Sequence, residues 1–258
     1  MDLALPTEGL EKYHSRAQMA RVATEAWAAA NLFCVCCSSP RLTPSRVGFK
    51  VLDFTCPHCD GPFQLKSQSK PFGNRVLDSA YSAMIAAIIS DRAPHLVLLH
   101  YSREAWSVVD LTLIPKFAIS ESAIEKRKPL SREAHRAGWV GCNIVLTRIP
   151  PDGRLAIIRN GIAERPSRVR RQFERIRPLA RLAASERGWT LDVLNAVREL
   201  RREEFSLDEV YSKEQALASL HPANRHVRDK IRQQLQILRD KGLLEFLGRG
   251  RYQLVNQG

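Results

Sequence analysis

Acidic residues are scarce in this sequence, and so are long apolar runs. Asp and Glu number 27 against 40 Lys and Arg, a formal charge of +13 with a pI near 9.9. That shortage of acids excludes an acidic, self-repelling surface, and the field that remains concentrates polyanions, of which nucleic acid is the commonest. The arginines also cluster, at Arg165, Arg168, Arg170, Arg171, Arg175, Arg177 and Arg181. The longest apolar run, residues 83–89, is far short of the ~20 residues that a membrane-spanning helix needs, so no membrane partner is expected. The N-terminal residues carry acids early and lack a basic stretch ahead of an apolar one. No secretory signal is read there, and a cytoplasmic location is expected. In that reducing setting the six cysteines are metal ligands or spares rather than disulfides. Internal repeats and low-complexity tracts are missing too.

What is present is ordinary for a globular protein: 44% apolar and 26% charged residues in a chain of 258. That length suits one large domain or a large and a small one, at roughly 150 residues per domain. Met19, Val22, Ala23, Ala26, Trp27 and Ala30 recur at helical spacing, predicting a helix over residues 17–30 that includes Glu25. Residues 50–54 and 62–66 are β-prone, and alternation puts Gln64 and Lys66 on one face of the second strand. A helix is predicted over residues 76–90, then strands over 95–101 and 107–115. This order points to an α/β (α+β) sheet domain. Residues 120–138 read as loop, and 143–149 and 154–160 as strands joined by a Pro-Pro-Asp-Gly turn. The basic stretch 165–181, with two prolines, reads as a linker or bridging helix near the domain boundary, giving domains 1–181 and 182–258.

The remainder has its own pattern. Thr190 and Ser206 are positioned to cap two helices, the second with Asp208 and Glu209 at its positive end. A third helix, basic at its start, is predicted over residues 224–241, ended by Gly242 and followed by a β-hairpin with Arg249 and Arg251 at its tip. Three helices and a hairpin describe a winged helix, whose third helix enters the DNA major groove. A winged helix used for protein contacts is the alternative. Asn224, Arg225, His226, Arg228 and Arg232 are placed to reach bases or phosphates, and the two wing arginines to contact backbone.

Cys34 and Cys37, then Cys56 and Cys59 after eighteen intervening residues, have the spacing of a four-cysteine zinc site. Four thiolates leave no open position for a substrate water, so this zinc is structural. Cys36 and Cys142 are spares, and His58 faces solvent. The second cysteine pair lies between Asp53 and a Gln-x-Lys, Gln64 to Lys66. A nuclease needs a divalent ion to activate water and neutralise the phosphorane, and magnesium asks for converging oxygen ligands beside a cation. Asp53 supplies a carboxylate and Lys66 the cation, while Gln64 stands where a second acid is usual. Glu25 is a further candidate carboxylate or a solvated helix face.

The order helix, Asp strand, Gln-x-Lys strand, helix resembles the core of the PD-(D/E)XK nucleases. More specifically, ARVATEAW (20–27), the two cysteine pairs, FQLKS (63–67), HRAGWVGCNI (135–144), SERGWTLDVLNAV (185–197) and DKIRQQLQILRDKGLLEFLGRGRYQL (229–254) resemble the DpnI family of methyl-directed restriction endonucleases. The resemblance implies magnesium-dependent, type II cleavage of double-stranded DNA at GATC when adenine carries an N6-methyl group, with both domains reading methylated sites. It maps the catalytic aspartate to Asp53 and the lysine to Lys66. Gln64 departs from the superfamily acid, as a tolerated ligand or as an engineered change that holds DNA uncut. The rival function is therefore a methylated-DNA reader with an inactive nuclease domain. One buried methyl contributes ~0.8 kcal/mol, so two reading domains compound a modest preference. Trp139 and Trp189 are the candidate aromatic surfaces for it, with core packing as their alternative role. A monomer is compatible with the sequence.

Overall fold

The structure, a computed structural model, describes residues 1–45 and 52–255. Helix α1 (Arg16–Asn31) buries Ala23, Thr24, Trp27 and Ala28, a stripe at three- and four-residue spacing. Trp27 is 1% exposed, and its indole N–H donates to the carbonyl of Asp2 at 2.9 Å, so its one polar atom is satisfied. Strands β1 (Thr43–Pro44), β2 (Phe54–Thr55) and β3 (Pro62–Gln68) follow. Of the β-prone run at 50–54, residues 50 and 51 lie outside the described residues, and the strand begins at Phe54.

The helix expected over 76–90 is in fact strand β4 (Arg75–Ala80) followed by helix α2 (Tyr81–Ile89). Apolar residues of either period look alike over so short a stretch, and a ladder with residues 141–145 decides for the strand. Strands β5 (His95–Ser102) and β6 (Ser107–Ile114) fall where the composition predicted them. The expected loop at 120–138 contains a short strand, β7 (Ile124–Lys126). Strand β8 (Gly141–Val145) is cut short by a 3-10 turn at Leu146–Arg148. Strands β9 (Leu155–Arg159) and β10 (Ile162–Ala163) come next. The stretch read as a linker or bridging helix is largely helix α3 (Pro166–Ile176), which buries Val169, Phe173 and Ile176. The C-terminal part comprises α4 (Ala184–Glu199), β11 (Glu204–Ser206), α5 (Leu207–Tyr211), α6 (Glu214–Leu220), α7 (Val227–Asp240), β12 (Leu244–Gly248) and β13 (Arg251–Leu254).

These elements form two compact units, and neither is a single stretch of chain. The first takes residues 1–73, 93–116 and 154–174. Its sheet has the order β1-β2-β3-β5-β6-β9-β10, with β3 and β5 parallel and the other pairs antiparallel. Gln64 pairs with Leu96 and Lys66 with Leu98, so these four share a face. The opposite face carries Phe63, Leu65, Ser67 and His95. Helix α1 covers it through a 3.0 Å hydrogen bond between the Thr24 and Ser67 hydroxyls, and α3 through Phe173, whose ring centroid is 6.0 Å from that of His95.

The second unit takes residues 74–92, 117–153 and 175–258. It holds a β4-β8-β7 sheet and a winged helix whose sheet has the order β11-β13-β12. Strands β8 and β9, expected as neighbours across a turn, therefore belong to different sheets. Thr190 does not cap α4, which starts at Ala184. It is buried mid-helix, where its hydroxyl donates to Gln234 at 2.6 Å. Ser206 does cap α5, in a reciprocal box with Glu209. The third helix starts at Val227, later than expected, because Asn224 turns back to accept from the His226 N–H at 2.8 Å. A polar network ties α4 to residues 117–153: Asp192 accepts from Ser122 at 2.8 Å and pairs with His221 at 2.7 Å, and Arg198 grips buried Asp152 at 2.7 Å.

Candidate metal centres and nucleic-acid interface

Asp53 sits at the entrance to β2, where the β2/β3 hairpin sets it beside Gln64 and Lys66. Its backbone N–H donates to the carbonyl of Phe63 at 3.1 Å, and its carboxylate accepts from the N–H of Leu65 at 2.7 Å. Burial raises the pKa of Asp53; the Leu65 N–H opposes that, Glu25 adds repulsion, and Arg21 and Lys66 pull it down. Glu25, Arg21 and Lys66 are thus all within electrostatic reach of one carboxylate. Glu25 is 40% exposed at its side chain and pairs with Arg21 at 2.7 Å. Arg21 was not among the sequence candidates, although its spacing of four from Glu25 is the signal for such a pair. Oxygen ligands around a cation-flanked carboxylate suit magnesium.

The four cysteines converge. The sulfurs of Cys34, Cys37, Cys56 and Cys59 all lie within 4.8 Å of one another, with Cys37 and Cys56 at 3.5 Å and Cys34 and Cys59 at 3.7 Å. Backbone N–H groups of Cys36, Ser39 and His58 point at the sulfurs of Cys34, Cys37 and Cys56, at 3.3, 3.5 and 3.4 Å. Burial raises the Cys56 thiol, but N–H groups of His58 and Cys59 outweigh it and bring the pKa down to about 6. Burial and its neighbouring sulfurs push Cys59 up to about 12 against the Gly61 N–H. Such a quartet, with N–H donors aimed at its sulfurs, fits a tetrahedral zinc held as thiolates.

The quartet is braced from outside. Arg170 on α3 donates to the carbonyls of Cys34 and Ser39, both at 2.9 Å. Cys36, read as a spare, has a partner: its sulfur lies 3.3 Å from Nε2 of His95, whose Nδ1 accepts from the Lys116 N–H at 3.2 Å. That acceptor role fixes the His95 proton on Nε2. Sequence order gave no sign of either brace, because both come from distant elements. Cys142 stands apart and donates to the carbonyl of Ser79 at 3.3 Å, while His58 is exposed as expected.

The proposed DNA contacts divide. Trp189 is 7% exposed and stacks on His221 with centroids 3.7 Å apart. It lines a cavity of about 230 Å³ together with Glu121, Ser122, Ser185 and His221. Trp139 is half-buried on a basic loop, with the Arg136 guanidinium 5.0 Å from the ring centre. Glycine at 141 is what lets that ring lie down, since a Cβ there would meet it at 2.6 Å. Arg228 pairs with Glu214 at 2.7 Å and covers the Tyr211 ring, Arg232 pairs with Asp229, and Arg251 pairs with Glu204 at 3.0 Å. All three remain more than half exposed at their side chains. Arg249 occupies the wing tip at φ 49°, between Gly248 and Gly250. Arg225 and His226 stand exposed just before α7.

Among the described residues no helix is long and apolar enough to cross a membrane. Comparison with protein families matches residues 1–182 to the family described as DpnI, Dam-replacing, and residues 185–254 to the one described as the Dam-replacing HTH domain. With that match covering more than half of its length, the chain belongs to the DpnI, Dam-replacing family and carries that family's helix-turn-helix domain.

Proposed function

We propose that the protein is a type II, methylation-dependent endonuclease that hydrolyses double-stranded DNA at GATC sites carrying N6-methyladenine. The observation that carries this reading is the 2.7 Å hydrogen bond by which Leu65, between Gln64 and Lys66, fixes the Asp53 carboxylate. Asp53 and Gln64 would hold a magnesium ion, with Glu25 as a further carboxylate; when bound, the ion supplies charge neutralisation at the phosphorus. Lys66 orients or activates the water that attacks the phosphorus in line, and the leaving oxygen departs with inversion. The four cysteines would hold a structural zinc that staples the connection between Asp53 and Gln64.

In this reading residues 1–181 cut and residues 182–258 bind. Both recognise the methyl group, through the apolar faces of Trp139 and Trp189, which lie in the same compact unit. Asn224, Arg225, His226, Arg228 and Arg232 approach the major groove while Arg249 and Arg251 grip phosphates. The paired arginines exchange their carboxylates for phosphate oxygens.

Two observations favour a second reading, a methylated-DNA binder that does not cut. Gln64 is neutral, and burial makes Asp53 hold its proton more tightly, so both changes weaken the grip on a cation. Incubating a methylated GATC duplex with wild type, D53N and K66A in magnesium separates the two. Cleavage by wild type alone supports the nuclease; tight binding by all three without cleavage, in manganese as well, supports the binder.

A further inference from the structure

The catalytic face of the large sheet continues beyond Lys66. Gln68 pairs with His100 on β5, and His100 pairs with Asp110 on β6, so all three share the face of Gln64 and Lys66. His100 Nδ1 lies 2.8 Å from Oδ2 of Asp110. The other oxygen of Asp110 accepts from the backbone N–H of Asn160 at 3.0 Å, which anchors the carboxylate beside the imidazole. Burial opposes ionisation of Asp110, but the Asn160 N–H and His100 outweigh it and lower its pKa, so the carboxylate stays charged. The Asp110 carboxylate occupies the Nδ1 side of the ring, which leaves Nε2 as the nitrogen that can carry a proton to an anionic ligand. The side chain is 13% exposed, and Nε2 has no hydrogen-bond partner among the described residues. One strand period and one strand spacing put its Cα about 8 Å from that of Lys66, a separation that lets the two side chains serve neighbouring phosphates of one strand.

We propose that His100, oriented by Asp110, is a positioning residue that donates a hydrogen bond to a DNA phosphate flanking the scissile one. The assignment rests on the nuclease reading of the Asp53 site. It adds a contact on the face that the cysteine quartet and the Asp53 site leave unexplained. It also gives the substrate strand a second fixed point, so that the scissile phosphate is presented to Lys66 in register.

The test is a phosphate-by-phosphate scan with the full zinc-loaded chain. Methylated duplexes carrying one neutral methylphosphonate at each position in turn are titrated with wild type, H100Q and D110N, and melting curves check that the variants fold. H100Q should bind the all-phosphate duplex about ten-fold more weakly and lose about one unit of salt slope. At one phosphate beside the cut, wild type should lose the same ten-fold while H100Q loses nothing further. D110N should fall between them. In turnover, H100Q should raise KM about ten-fold with kcat within two-fold. Wild-type affinity in H100Q overturns the proposal, as does a loss that stays additive at every phosphate, which marks a purely structural role. A fall in kcat at unchanged KM overturns it too, in favour of a proton-transfer role. Failure of the wild-type chain to bind any duplex instead overturns the nuclease reading itself.

Discussion

The carboxylate of Asp53 is hydrogen-bonded to the backbone N–H of Leu65, the residue between Gln64 and Lys66, at 2.7 Å. Twelve positions apart in sequence, the two are locked across the hairpin that the second cysteine pair closes. Aspartate orientation is thereby set by backbone rather than by a mobile side chain. Burial of the carboxylate carries a cost, visible in the raised pKa of Asp53, which the Leu65 N–H partly offsets.

That cost predicts a stability effect. A carboxyl whose folded pKa lies above its unfolded one binds its proton more tightly when folded, so it destabilises the chain as pH rises through the folded value. Without added divalent ion, D53N should melt at or above the wild-type temperature at neutral pH, and the difference should vanish below the carboxylate range. A D53N chain that melts lower at neutral pH contradicts a strained, functional aspartate.

Restoring an acid at the glutamine should help the cation. Q64E adds one negative charge beside Asp53 and is expected to lower the magnesium concentration for half-maximal cleavage about ten-fold. Initial rates across a magnesium titration measure it. No gain, with DNA binding retained, removes Gln64 from the ligand set.

The cysteines separate by role. C37S should lose its zinc and several kcal/mol of stability, whereas C36S should keep one zinc per chain, because its sulfur faces His95 at 3.3 Å rather than completing the quartet. Metal analysis of the purified variants distinguishes them; zinc retained in C37S would contradict the assignment.

At the wing tip, Arg249 holds φ 49°, a conformation that asparagine accepts more readily. R249N is expected to raise stability by up to roughly 1 kcal/mol while reducing the salt slope of DNA binding by about 0.9. Denaturant melts and salt titrations read the two effects independently.

The tryptophans should part in the same way. W189A removes a buried ring stacked on His221 and should cost about 3–5 kcal/mol, whereas W139A on its half-buried loop should cost far less and narrow the preference for methylated DNA. Melting and competition binding test both; a well-folded W189A would mean that the stack contributes little.

Much of this was legible in the sequence where local chemistry decides. The spacing of Ala23 and Trp27 marked the buried side of α1, two Cys-x-x-Cys pairs marked the quartet, and Ser206 with Glu209 marked a helix start. The misreadings came where partners distant in sequence decide. Residues 75–80 are a strand because residues 141–145 pair with them, and Thr190 can be buried because Gln234 accepts a hydrogen bond from its hydroxyl. The braces from Arg170 and His95, and the His100–Asp110 pair, carry no local pattern at all. They are products of the register of β3, β5 and β6 and of the packing of α3.

A plasmid digest tests the central claim most directly. In magnesium, the protein is expected to cut plasmid whose GATC sites carry N6-methyladenine and to leave the same unmethylated plasmid intact, with cutting lost in D53N. Equal cutting of both plasmids contradicts the methyl requirement. Binding of the methylated plasmid without cutting, in magnesium or manganese, contradicts the nuclease.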